Sequence, residues 1–192
     1  MLETLLELDS QLLLKINSAW QHPWLDVVMP WLRNKYFWIP LYAVLLAFLI
    51  TRYKKQSLGI IVFCILAIAL SDQLSSALLK PWIGRLRPCH TPELASQLRM
   101  IVSCGGKFGF VSSHAANHFA MAIYFGAVFS KWRRPIMLFA GLWAASIAYA
   151  QVYVAVHFPG DVVAGALLGC SVGCLSAWLG PKLIPQYFPK GI

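Results

Sequence analysis

Charge is scarce in this chain: 12% of its 192 residues are Asp, Glu, Lys or Arg, against 59% hydrophobic ones. With a mean hydropathy of +0.65, that scarcity excludes an ordinary soluble domain. Acidic residues are fewest, seven against sixteen Lys and Arg, which leaves a net charge of +9. A continuous basic stripe is also missing. The cations sit in short clusters between apolar runs, so they report membrane topology and not a nucleic-acid partner. No basic segment precedes the first apolar residues, where Glu3, Glu7 and Asp9 stand instead, so a cleaved secretory signal is not expected. Without internal repeats, low-complexity runs or a linker, residues 1–192 read as one domain.

What is present are long apolar runs. Five candidate spans, 36–52, 57–79, 112–130, 135–155 and 161–180, are each about long enough to cross ~30 Å of hydrocarbon, the first and third on the short side. Residues 1–35 differ, because Glu3, Glu7, Asp9 and Lys15 interrupt their leucines, and they read as an interfacial amphipathic helix followed by a Pro- and Trp-bearing segment. The expected fold is an all-α polytopic membrane bundle of five spans plus an N-terminal amphipathic or sixth helix. Arg52, Lys54 and Lys55, then Lys131, Arg133 and Arg134, then Lys182 and Lys190 fall on one side, which the positive-inside rule makes cytoplasmic. Connections 80–111 and 156–160 then face outward. Cys64, Cys170 and Cys174 lie within spans as small packing residues, while Cys89 and Cys104 share the outer connection, either as two thiols or as a disulfide worth about 3 kcal/mol. Gly165, Gly169 and Gly173 share one helix face and allow close helix approach.

The ionisable groups gather at the ends of these runs. Lys80, Arg85 and Arg87 offer donors to a phosphate at one membrane edge, where an isolated trio would otherwise be a snorkelling cluster. Ser112, Ser113 and His114 open the third run, where first-turn N–H groups attract an anion and His114 is a candidate acid, with His118 one turn deeper. His157 and Asp161 are four apart, a spacing at which a carboxylate fixes the imidazole tautomer and leaves the other nitrogen as nucleophile, or simply makes a structural hydrogen bond. Asp72, with Ser71, Gln73, Ser75 and Ser76, makes the outer half of the second run polar, for bracing a site or for a helix–helix hydrogen bond. Reading His114, His118, His157 and Asp161 as zinc ligands would place the metal beside Lys80, Arg85 and Arg87, which repel it; no metal or other cofactor is expected.

In this order the segments resemble the type 2 phosphatidic acid phosphatase family, which is itself similar to vanadium haloperoxidases and bacterial acid phosphatases. The family's K-x6-R-P is met by Lys80, Arg87 and Pro88, its P-S-G-H by Val111-Ser112-Ser113-His114, and its S-R-x5-H-x3-D by Ala150-Gln151, His157 and Asp161. The resemblance spans roughly residues 80–165. It implies a six-helix core, a phosphohistidine at His157 oriented by Asp161, leaving-group protonation by His114, and phosphate contacts from Lys80, Arg87 and Ser112. Gln151 stands where the family has arginine and offers a neutral amide in its place; Arg85, near Arg87, is the candidate to compensate.

The expected activity is hydrolysis of a lipid phosphate or diphosphate at the outer face of a bacterial inner membrane. Undecaprenyl diphosphate is favoured, with lipid A, phosphatidylglycerol phosphate and phosphatidic acid as further candidates. Partners are the bilayer and its lipid phosphate, with no oligomeric state indicated. The alternatives are phosphotransfer to another lipid or sugar, and a non-catalytic lipid-phosphate binding or transport protein.

Overall fold

The computed structural model describes residues 2–189, so Lys190 of the third basic cluster lies outside it. Nine helices account for most of the described chain: α1 (Leu2–Leu14), α2 (Pro23–Arg33), α3 (Ile39–Tyr53), α4 (Ser57–Asp72), α5 (Lys80–Ile83), α6 (Pro92–Ala95), α7 (Ser113–Val128), α8 (Arg133–Tyr153) and α9 (Pro159–Leu183). No strand occurs among the described residues, whose one isolated β-bridge joins Leu86 to Phe108.

Three helical stretches are long and apolar enough to cross a membrane: Lys35–Ile83, Arg133–Tyr153 and Pro159–Leu183. The first, at 49 residues, is more than twice what one crossing needs. Lys54 divides it into α3 and α4 by adopting φ +50°, which no continuing helix accommodates. Beyond Asp72, α4 passes through widened π turns at Gln73–Leu79 into α5, and Gly84 stops the run in the left-handed conformation at φ +67°. Lys80 is therefore carried on the end of this long helix.

α7 is the central helix, packed against α4, α8 and α9. Its 16 residues rise about 24 Å, less than a bilayer core, and Ala115, Ala116, Ala120 and Tyr124 have no exposed surface. Neighbouring helices surround it in place of lipid. The tightest seam joins α7 to α9, where Gly165, Gly169 and Gly173 face the carbonyls of Ser112, Ala116 and Ala120. Both series advance by four residues, so the two stripes stay in register. A Cβ at any of the three glycines would collide with backbone.

The outward faces of the helices are apolar: Val44, Phe139, Leu142, Val163 and Leu167 are all exposed. A surface of that kind is covered by lipid, and the protein is an integral membrane protein.

The N-terminal segment caps one end of the bundle. Asn17 is fully buried, donating to the carbonyls of Arg99 and Tyr153 and accepting from the Arg99 N–H. The Tyr153 hydroxyl donates to Asp26 at 2.6 Å and Arg99 pairs with the same carboxylate at 2.6 Å, which fastens α2 to the end of α8. The Tyr153 hydrogen bond and the Arg99 ion pair hold the Asp26 carboxyl below its ordinary range. Leu5, Leu6, Leu8 and Leu12 leave α1 with an exposed apolar face.

Candidate active site

The site forms where α8 ends and α9 begins. After Tyr153 the chain reverses in a tight turn in which fully buried Ala155 takes φ +58°, a left-handed conformation costly for any residue with a Cβ. The Gln151 carbonyl accepts the N–H groups of Val156 at 3.1 Å and His157 at 3.3 Å, so the turn is drawn against the last turn of α8. His157 emerges 1% exposed, two residues before Pro159 starts α9.

Asp161 occupies the third position of α9 and reaches back, through Oδ2, to the Phe158 N–H at 3.1 Å, the return half of a capping box. The same oxygen faces His157 Nδ1 at 3.4 Å, and Oδ1 accepts from Arg85 Nη1 at 2.8 Å. Asp161 is thus wholly buried with a main-chain donor, a cation and an imidazole around it. Its carboxylate is fixed, and the paired Nδ1 leaves His157 Nε2 as the nitrogen without that partner.

The long connection supplies the cations through a short paired ribbon. Arg87 N–H donates to the Lys107 carbonyl at 3.0 Å and Gly109 N–H to the Arg85 carbonyl at 2.8 Å, on either side of the Leu86–Phe108 bridge. Extended backbone alternates its side chains, so Arg85 and Arg87, two apart, share one face. Arg87 Nη1 donates to the Cys104 carbonyl at 3.0 Å and Nε to the Phe108 carbonyl at 3.3 Å. Cys89 and Cys104 form a disulfide, which closes the segment holding that carbonyl.

Arg85 is bound on both sides. Its Nη2 meets Asp9 Oδ2 at 2.6 Å while Nη1 holds Asp161, and its guanidinium lies 4.0 Å from the Phe158 ring centroid. Asp9 also accepts the Gly160 N–H at 2.7 Å. Two carboxylates therefore share the single positive charge of Arg85, which leaves it no net charge to set against a phosphate.

From α7, Ser112 caps the helix by accepting the Ala115 N–H, and its own N–H donates to the Asp161 carbonyl at 2.9 Å. The start of α7 and the first turn of α9 are thereby tied together beside His157. Ser113 Oγ accepts from Lys80 Nζ at 3.2 Å and from Ser75 Oγ at 2.8 Å, joining the first and second motifs. Lys80 and Arg87 both lie within electrostatic reach of His157. Burial, with Arg87 and Lys80 adding to it against the opposing Asp161, pushes the His157 imidazole down to about 4. Burial thus favours the neutral imidazole.

His114 lies within reach of the charges of Arg33 and Lys80. Its neighbour His118 is engaged elsewhere, with Nδ1 on the His114 carbonyl at 2.7 Å and Nε2 on the Tyr42 hydroxyl at 3.3 Å. Asp72 accepts from Asn117 Nδ2 at 3.2 Å, a hydrogen bond between α4 and α7. Among the described residues His114, His118, His157 and Asp161 do not gather three ligand atoms within 4.8 Å; only Cys89, His90 and Cys104 do, and there both thiols are spent in the disulfide. Gln151 is wholly buried with neither side-chain atom hydrogen-bonded.

Two side chains at this end were invisible to motif reading. Asp9 lies in a segment expected to rest on the membrane surface, and the one hint is that it interrupts an apolar run. Arg33 carries no sequence signal beyond its charge.

A family model described as the PAP2 superfamily matches residues 57–185. The chain is 38% identical over 186 residues to the lipid A 4'-phosphatase of Bacteroides thetaiotaomicron, covering 95% of this chain and 81% of that one. It is 31% identical over 194 residues to the lipid A 4'-phosphatase of Porphyromonas gingivalis, with coverages of 93% and 79%. In fold it is similar to the crystal structure of the PAP2 type phosphatidylglycerolphosphate phosphatase of Bacillus subtilis, with a TM-score of 0.73 at 24% identity over 94% of this chain and 88% of that one. The matched region takes in every motif residue placed above, and the chain belongs to the PAP2 superfamily.

Proposed function

We propose that this protein is an integral membrane phosphatase that removes a phosphate from a lipid through a covalent phosphohistidine. The observation that carries the reading is the buried His157–Asp161 pair, with its tautomer set by a carboxylate that other donors hold in place. The His157 Nε2 lone pair attacks phosphorus while the bond from phosphorus to the lipid oxygen breaks, and that oxygen takes a proton from His114, which the bound phosphate dianion keeps as imidazolium against the nearby cations. Water then gives a proton back to His114 and attacks phosphorus. The phosphorus–nitrogen bond breaks, its electron pair returns to Nε2, and orthophosphate leaves. Lys80, Arg87 and the Ser112 and Ser113 hydroxyls neutralise and orient the phosphoryl oxygens. Arg85 acts through Asp161 as a positioning residue, a different role from the phosphate contact expected of it.

Among substrates, lipid A phosphorylated at the 4' position is better supported than the polyprenyl diphosphate expected from sequence, because both relatives described above are named for it. We take α3, α4, α8 and α9 as crossing segments with α7 enclosed among them, and put the site at one membrane interface. Exposed Trp24 and Trp82 suit that level, and the basic clusters at Arg52–Lys55 and Lys131–Arg134 suit a cytoplasmic opposite side. A disulfide in the connection agrees with an oxidising, outward location. The test is phosphate release by purified protein in EDTA from lipid A, phosphatidylglycerol phosphate and a polyprenyl diphosphate, with His157→Ala in parallel. Release from lipid A above the others, lost in the variant, is expected; activity that survives the substitution overturns the nucleophile assignment.

A further inference from the structure

The third motif leaves this chain one positive charge short, since neutral Gln151 stands at its arginine position. Gln151 does not repair the deficit indirectly, for its amide is wholly buried and neither side-chain atom has a hydrogen-bond partner. Arg85 does not repair it either, because its single positive charge is already set against two carboxylates, Asp9 and Asp161.

A different arginine reaches the same end of the molecule. Asp26 and Arg33 are seven residues apart on α2, two turns, and so lie on one face of that helix. Asp26 on this face is anchored to Tyr153 of α8, and Arg33 follows about 10 Å further along. Arg33 is half-buried, its Nε is enclosed without a partner, and no ion pair to it is found among the described residues. Burial and the nearby Arg87 guanidinium both weaken its hold on its proton. Its charge also reaches the His114 ring.

Three cations, Lys80, Arg87 and Arg33, thus converge on the two site histidines. Asp161 is already matched by Arg85, and like charges brought together at a partly buried site repel unless an anion lies among them. An enclosed guanidinium N–H with no acceptor is what a phosphate oxygen would satisfy.

We infer that Arg33 is a phosphate-binding residue of this site, supplied by the N-terminal helix pair in place of the arginine that the third motif lacks. The inference rests on the phosphatase reading for the site's location. The group recognised is a phosphate monoester dianion or its orthophosphate product. Arg33 donates through its fork to non-bridging oxygens on the side where His114 meets the leaving oxygen. The N-terminal segment is accordingly part of the site, and is more than a membrane-surface anchor.

The experiment measures orthophosphate affinity of the purified full-length protein in detergent by calorimetry, alongside thermal unfolding. Arg33→Gln is expected to weaken orthophosphate binding about ten- to hundredfold. Adding Gln151→Arg to that variant restores affinity to within a few-fold, because it returns the charge to the motif position. A purely structural Arg33 gives the opposite pattern: lowered unfolding temperature, no recovery with Gln151→Arg, and the proposal is overturned. Unchanged affinity in Arg33→Gln overturns it as well. Should Arg33→Gln fail to fold, Arg33→Lys keeps the charge without the fork; a several-fold loss at unchanged unfolding temperature supports the inference, and wild-type affinity contradicts it. If wild-type protein binds orthophosphate through Arg33 yet releases none from any lipid phosphate, the hydrolase reading falls and this site stands.

Discussion

The α7–α9 seam and the α3 flank are both helix packings in one membrane protein, yet they are built on opposite terms. In the seam, glycines at every fourth residue meet backbone carbonyls with no room for a methyl group. Around α3, cavities of about 430 and 620 Å³ open among Leu45, Leu49 and Phe125, and Leu46 and Phe48 face outward. The seam ends at Ser112 and Asp161, whose backbones are hydrogen-bonded to each other beside His157. Packing is close along the seam that leads to the His157–Asp161 pair, and it is loose where only hydrocarbon has to be accommodated.

Four variants break or sharpen this contrast. The largest effect belongs to Gly169→Leu, which forces a side chain into the Ala116 backbone; a loss of about 3 kcal/mol or more in folded-state stability is expected from thermal unfolding in detergent. Removing the Cys89–Cys104 disulfide by paired serine substitutions costs about 3 kcal/mol by chain entropy and frees the carbonyl that holds Arg87, so KM rises as stability falls. Asp161→Asn lowers kcat about a hundredfold.

That variant also carries a pH signature. The His157 imidazole is depressed by burial to about 4 and supported against that by Asp161. The neutral, nucleophilic form therefore persists down to about pH 4, and the acid limb of kcat/KM falls there and not near 6.5. Without the Asp161 charge the limb moves lower still. The linked stability has the same sign: protonation favours the unfolded chain, so the His157 contribution is present above 6.5 and is lost as pH falls toward 4. The smallest effect is Leu46→Trp in the α3 flank, where stability changes by less than about 0.5 kcal/mol and KM for a long-chain substrate shifts several-fold. Equal damage from Gly169→Leu and Leu46→Trp would erase the contrast.

The sequence made the site legible where chemistry is local. Lys80 and Arg87 sit at helix end and turn, Ser112 is a helix cap, and His157 and Asp161 are one helical turn apart, so residue type and spacing carried them. The apolar stretches Lys35–Ile83, Arg133–Tyr153 and Pro159–Leu183 were legible because hydropathy is additive, whereas the expected span 112–130 is not among the stretches long enough to cross, and α7 is explained by the helices packed around it. Asp9 could not be read, since it joins the site through tertiary packing and no periodicity marks a side chain whose partners are 76 and 151 residues away, and the role inferred for Arg33 is equally unmarked in the sequence. The Arg85 expectation was drawn from nearness to Arg87, and the two carboxylates that hold it are equally remote in sequence.

The central claim is that His157, held by Asp161, carries the phosphoryl group. Rapid acid-free quenching of the protein with a lipid substrate labelled in its phosphate tests it most directly. The account predicts acid-labile, base-stable label on His157 in wild type and none in His157→Ala; turnover with label on another residue, or turnover surviving in that variant, would contradict it.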